Sequence, residues 1–207
     1  MYPRVIVNLG HLRQNVRTMK ALCDEKGISI TGVTKVFRGD PRIAKIFLEE
    51  GLTMLGDSRV ENLKRMKDLP GEKWLIRPPM LSEAAATARF ADAALHSEWE
   101  VIQAVAEHAY RMGRQHKVIL MADLGDIREG YVDYEELLRV AARVESLPAA
   151  TLYGLGVNLT CFSFIQPDTE KLEQLARLAQ KAGEAAGHPL QIVSVGNSAT
   201  LDLMLRG

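Results

Sequence analysis

Lys35 closes a run, Ile28-Ser29-Ile30-Thr31-Gly32-Val33-Thr34-Lys35-Val36, that is β-branched, mostly apolar and bounded by Gly27 and Gly39. Such a run predicts a buried strand. A lysine carried by a strand into a closed site is desolvated, loses its proton and becomes a nucleophilic amine able to hold a carbonyl compound as a Schiff base. The competing reading is a lysine whose stem packs while its ammonium stays in water. A second chemical feature lies late in the chain. Val193-Ser194-Val195-Gly196-Asn197-Ser198-Ala199 runs from a strand through glycine to a hydroxyl at a helix start. Free backbone N–H groups and the Ser198 hydroxyl suit a phosphate there, although Asn197 or Ser198 would equally serve as an ordinary cap. Taken together, Lys35 and Ser198 describe a phosphorylated aldehyde held at both ends.

Positioning these groups falls to a steady alternation of strand-like and helix-like segments. Arg4–Leu9 alternates like a half-buried strand, followed by Leu12, Val16, Met19 and Leu22 at helical spacing. After the Lys35 strand, Asp40-Pro41 predicts an N-cap and first-turn proline. Further strands are expected at Leu52–Leu55, Trp74–Arg77, Ala91–Leu95, Lys117–Ala122, Leu152–Val157 and Gln191–Val195. Helices fall between them, with capping-box patterns at Ser58/Glu61 and Ser97/Glu100. Strands separated by helices imply parallel βαβ units. Seven or eight such units imply a (β/α)8 barrel, whose chemistry sits at the carboxyl ends of the strands. Those ends carry Lys35, Asp57, Arg77, His96, Asp123 with Arg128, Asn158 and Asn197.

Composition narrows the function classes. The 207 residues hold 26 Lys+Arg against 26 Asp+Glu, a balance that speaks against a nucleic-acid binder. No apolar run is long enough to span a membrane. The start, Met1-Tyr2-Pro3-Arg4, does not read as a signal peptide. Cys23 and Cys161 show no disulfide framework or metal-ligand spacing, so a cytoplasmic protein without a metal is expected.

The blocks GVTKVFRGDP (32–41), LGDSRVENLKRMKDLP (55–70), RPPMLSE (77–83), HKVILMADLGDIREG (116–130), GLGVNLTCF (154–162) and GNSATL (196–201) carry a family resemblance. In this order they resemble the barrel domain of the alanine racemase-like, fold-type III pyridoxal-phosphate enzymes, and within it the amino-acid racemases that include ornithine racemase. The resemblance implies an α/β, pyridoxal-phosphate-binding (β/α)8 barrel of seven strands over residues 1–207. The N-terminal strand would lie outside the barrel, and the eighth strand and the C-terminal β-domain would be missing. It implies that Lys35 forms the internal aldimine with pyridoxal 5'-phosphate. Arg128 would sit near the cofactor's phenolic oxygen and the substrate carboxylate, although a surface ion pair with Glu129 or Asp126 is its alternative. Asn158 would lie near the ring, or make a strand-end bond to backbone. Asn197 and Ser198 would fall at the phosphate. Met121 stands where many alanine racemases carry a carbamylated lysine that supports the arginine, so Arg128 needs another partner.

The implied activity is racemisation of a small-molecule amino acid, with ornithine as one candidate, in a protein that is a homodimer when intact. Tyr131, Tyr153 and His96 are the available candidates for a second base. Two other classes remain open: a pyridoxal-phosphate binding or homeostasis protein without racemase activity, and a Schiff-base aldolase barrel that needs no cofactor.

Overall fold

A computed structural model describes residues 3–4, 6–160, 162–195 and 197–206. The expectations that involve Met1, Tyr2, Val5, Cys161 and Gly196 lie outside the described residues at those positions. Seven strands follow one another in sheet order: β1 (Gly32–Val33), β2 (Met54–Asp57), β3 (Glu72–Leu75), β4 (Ala93–His96), β5 (His116–Met121), β6 (Ala150–Gly156) and β7 (Ile192–Ser194). The pairs β1–β2, β4–β5, β5–β6 and β6–β7 are parallel. This is the seven-stranded α/β arrangement expected, with no eighth strand among the described residues.

The chain divides into two compact units, Met1–Trp74 and Leu75–Gly207. In the first, α1 (Leu9–Asp24) and α2 (Pro41–Glu49) are joined by Arg13 Nη1 to Glu50 at 2.7 Å and Arg17 Nε to Glu50 at 2.5 Å. Asp40 caps α2 as anticipated, accepting from Arg42 N–H at 3.0 Å, with Pro41 in the first turn. The Arg42 guanidinium on the same carboxylate draws Asp40 down to about 2. A short α3 (Val60–Arg65) completes this unit.

In the second unit α4 (Ala84–Phe90), α5 (Trp99–Arg111), α6 (Tyr134–Val144), α7 (Thr169–Ala186) and α8 (Leu201–Arg206) alternate with the strands. Val118, Ile119 and Leu120 of β5 are all fully buried. Both faces of that strand are covered, which is why it reads as an unbroken apolar run. Its core partners include Ile102 of α5, Leu137 and Val140 of α6, Leu152 and Leu155 of β6 and Leu175 of α7.

Three expectations are corrected. Arg4–Leu9 stays outside the sheet as expected, but it is not a strand: its described residues before Leu9 are irregular, Ile6 is 77% exposed, and Asn8 instead caps α1 by accepting from His11 N–H at 3.0 Å. Alternating apolar residues make a strand only where a neighbouring ladder takes up the backbone groups. The Lys35 strand shrinks to two residues, and Lys35 opens a 3-10 turn, Lys35–Phe37. The two serine boxes do not form either. Arg59 and Glu98 hold the N-cap positions of α3 and α5 without a side-chain capping bond. The Asp57 carboxylate takes the Arg59 N–H at 3.0 Å.

Candidate functional site

In the first unit the site is built behind Lys35. Thr34 is fully buried, and its hydroxyl donates to Asp57 Oδ2 at 2.7 Å, sharing the same hydrogen with the Gly56 carbonyl at 3.1 Å. Its N–H bonds the same carbonyl at 2.8 Å. Asp57, also fully buried, further accepts from Asn62 Nδ2 at 2.9 Å. A buried carboxylate persists only when donors converge on it, so these three side chains form a rigid floor at the carboxyl ends of β1 and β2. The turn then closes tightly. Gly39 has φ +62°, and a Cβ there would stand 2.8 Å from the Asn62 carbonyl oxygen. Lys35 itself is exposed to solvent. The desolvated lysine expected from the apolar run is therefore not what the structure shows: the 3-10 turn lifts the side chain off the strand end, while Thr34 takes the buried position.

In the second unit, the loops after β5, β6 and β7 are stitched together by side chains. Asp123 Oδ1 accepts from Gly125 N–H at 2.7 Å and Ile127 N–H at 3.2 Å, shaping the loop that carries Arg128. Arg128 Nη2 meets Glu129 Oε1 at 2.6 Å, and the same oxygen accepts from Asn158 Nδ2. The ion-pair alternative for Arg128 thus holds for Glu129, and Asn158 bonds a side chain rather than backbone. Asn197 Nδ2 donates to the Leu159 carbonyl at 2.7 Å, tying the β7 loop to the residue after Asn158. Its Oδ1 caps the next turn through Ala199 N–H at 2.8 Å, the ordinary role anticipated as the alternative. Ser198 is exposed. Arg128, Asn158 and Asn197 are thus brought into one network, with Ser198 beside it.

Backbone strain falls in the same loops. Among the described residues, the non-glycine residues at positive φ are Arg38 (55°), Ile127 (52°) and Thr160 (68°). Each lies within three residues of Lys35, Arg128 or Asn158. Such conformations cost energy, most for a β-branched residue, and they collect where a loop presents groups to a ligand.

The candidates for a second base fare differently. His96 is fully buried, with Nε2 3.0 Å from His116 Nε2, and burial holds it well below the usual histidine range. Tyr131 is 7% exposed, and burial, with Glu136, Glu100 and Glu98, pushes its phenol up to about 12. Tyr153 carries Lys117 Nζ 4.5 Å from its ring centroid. None of these presents a ready base. Sequence reasoning gave Glu129 only as a surface partner and overlooked the Thr34–Asp57–Asn62 floor. The available signal was an acidic residue following an apolar strand.

Each unit by itself offers groups whose chemistry suits pyridoxal phosphate: the first a solvent-facing primary amine on Lys35, and the second a guanidinium, two amides and a hydroxyl on Arg128, Asn158, Asn197 and Ser198. Residues 7–204 match the family described as "Alanine racemase, N-terminal domain", and the chain belongs to it. It is 34% identical over 207 residues to an ornithine racemase of Acetoanaerobium sticklandii, covering all of this chain and 59% of that protein. It is 36% identical over 209 residues to a lysine racemase of Thermotoga maritima, covering all of this chain and 58% of that protein. The chain therefore spans a little under three fifths of these relatives. Its fold is that of an alanine racemase from Clostridium difficile 630, with a TM-score of 0.79, 20% identity, and coverage of 94% of this chain and 52% of that one. No helix among the described residues is long and apolar enough to cross a membrane.

Proposed function

We propose that residues 1–207 are the cofactor-binding domain of a pyridoxal-phosphate-dependent amino-acid racemase, cytoplasmic and homodimeric when intact. The observation that carries this reading is Lys35, a solvent-facing amine set directly after the fully buried Thr34–Asp57 bond in a chain of the alanine racemase family. Bound there, the cofactor would draw electrons from a substrate's Cα and make its proton removable.

The chain's own residues have distinct tasks under this proposal. Lys35 would hold the cofactor through its aldehyde carbon and, once released from it, would accept or return a proton on one face. Arg128 supplies a fixed cation for a carboxylate or phenolate oxygen. Asn158 orients the ring, and Asn197 shapes the turn that presents Ser198 to the phosphate. The proposed substrate is an α-amino acid. Ornithine and lysine are the first to try, because the two curated relatives are named for amino acids whose side chains end in an ammonium.

The test adds pyridoxal phosphate to the chain and follows near-visible absorbance, then fixes the label with borohydride and locates it. The expected result is a label on Lys35 that Lys35→Ala abolishes, and full labelling of that variant would overturn the assignment. Chiral chromatography of ornithine, lysine and alanine then separates a racemase from a protein that only binds the cofactor. No absorbance change, with borohydride trapping of a carbonyl substrate instead, would mark an aldolase.

A further inference from the structure

Within the network that presents Arg128, one half-buried carboxylate has no task in the proposed chemistry. The Glu129 side chain is 9% exposed, and its Oε1 accepts from both Arg128 Nη2 and Asn158 Nδ2. The two donors come from different loops, one after β5 and one after β6. A neighbouring ion pair left in water would add little. A largely covered acid taking two donors through a single oxygen instead fixes the geometry of both.

The chemistry of the groups says what is fixed. A carboxylate only accepts, so Asn158 must turn its NH2 toward Glu129 and its carbonyl oxygen away. Glu129 thereby decides that Asn158 offers an acceptor to anything bound beside it. The same oxygen sets the plane of the Arg128 guanidinium, whose planar fork recognises anions only in a defined orientation. Asp126 reinforces the join, because its Oδ1 accepts from Ser163 N–H at 3.2 Å and from the Ser163 hydroxyl across the same two loops.

We propose that Glu129 is a positioning residue, which holds the Arg128 guanidinium and the Asn158 amide as one preset cation-and-acceptor pair for the bound cofactor. This rests on the pyridoxal-phosphate reading above. Glu129→Gln keeps the size but brings an NH2 of its own, so Arg128 loses the Glu129 charge and the Asn158 amide is released to flip. Glu129→Asp keeps the charge on a shorter stem.

Two measurements test this. In the first, pyridoxal phosphate is titrated into the whole chain. Glu129→Gln should weaken binding about tenfold, the scale of one charge-assisted hydrogen bond, and Glu129→Asp should recover part of that loss. In an Arg128→Ala, Asn158→Ala background, Glu129→Gln should change affinity by less than about twofold, because its partners are gone. A full additive loss there would overturn the proposal and leave Glu129 a purely structural residue. The second measurement needs no cofactor: nitrogen-15 NMR of the Arg128 guanidinium. Slow rotation about its Cζ–N bonds in the wild-type chain, lost in Glu129→Gln, supports the proposal, and an unchanged signal overturns it. A wild-type chain that fails to take up the cofactor would sink the functional reading alone, since the NMR measurement still decides the role of Glu129.

Discussion

The Thr34 hydroxyl lies 2.7 Å from the Asp57 carboxylate, both side chains are fully buried, and the next residue is Lys35. A threonine that looks like one more β-branched strand residue is thus the anchor of the turn that delivers the amine. Thr34→Val preserves shape but leaves Asp57 short of a donor. It should cost roughly 1–3 kcal/mol, the penalty for stranding a buried polar group. Urea denaturation measures the loss, and an unchanged midpoint would mean that the bond contributes nothing to the floor.

Gly130 poses a backbone constraint two residues beyond Arg128. It has φ +114°, and a Cβ would stand 2.7 Å from both the Ala122 carbonyl carbon and the Asp123 nitrogen. Backbone atoms at a strand end cannot retreat. Gly130→Ala should therefore destabilise by on the order of 3 kcal/mol, combining a forbidden φ with a clash. A denaturation midpoint within error of wild type would show that this loop relaxes freely.

The buried pair His96 and His116 predicts acid sensitivity. With Nε2 atoms 3.0 Å apart, one ring donates and the other accepts, so the accepting ring is neutral, and burial disfavours a charge on its partner. Burial lowers His116 from its ordinary 6.5 to about 4, with the Arg114 charge acting in the same direction, and burial lowers His96 as well. The unfolded chain therefore takes up protons below about pH 6.5 that the folded chain refuses. Stability should be complete above that pH and fall between about 6.5 and 4, His116 alone contributing on the order of 3 kcal/mol. Urea midpoints at pH 7.5, 6 and 5 would show this slope. The double variant His96→Leu, His116→Leu should flatten it, and an equal slope in both proteins would count against the pair.

Under the proposed cofactor reading, Ser198→Ala should weaken pyridoxal phosphate binding by roughly 1–3 kcal/mol, the range for a hydrogen bond to a charged group. Unphosphorylated pyridoxal should bind this variant and the wild type alike. Equal losses for both forms would reduce Ser198 to a turn residue beside the Asn197 cap.

Much of this architecture is local in origin and so was legible in the order of residues. The apolar run at 118–122 reads as a covered strand from its length, and Leu172, Leu175, Leu178 and Ala182, three and four residues apart, read as a helix with one apolar stripe. Asp40-Pro41 capped α2 as read, because capping needs only the residues of the first turn. The places of Lys35, Arg128, Asn158 and Asn197 near strand ends followed from the same alternation.

What the tertiary structure alone decided concerns partners distant in the chain. Arg4–Leu9 has a strand's pattern but, among its described residues, no ladder beside it, and a strand without a neighbour leaves its backbone groups to water. Lys35 reads as buried, yet Asp57, 22 positions later, claims Thr34 for the interior and leaves the amine outside. Asn158 converts Glu129 from a surface partner into a bridge between two loops, and His116 turns His96 from a candidate base into a closed pair. Periodicity records which face of an element is apolar, and a short-range motif records its own turn. Whether a polar group ends buried or exposed depends on a partner brought from elsewhere in the chain, because desolvation is offset only when donor and acceptor meet.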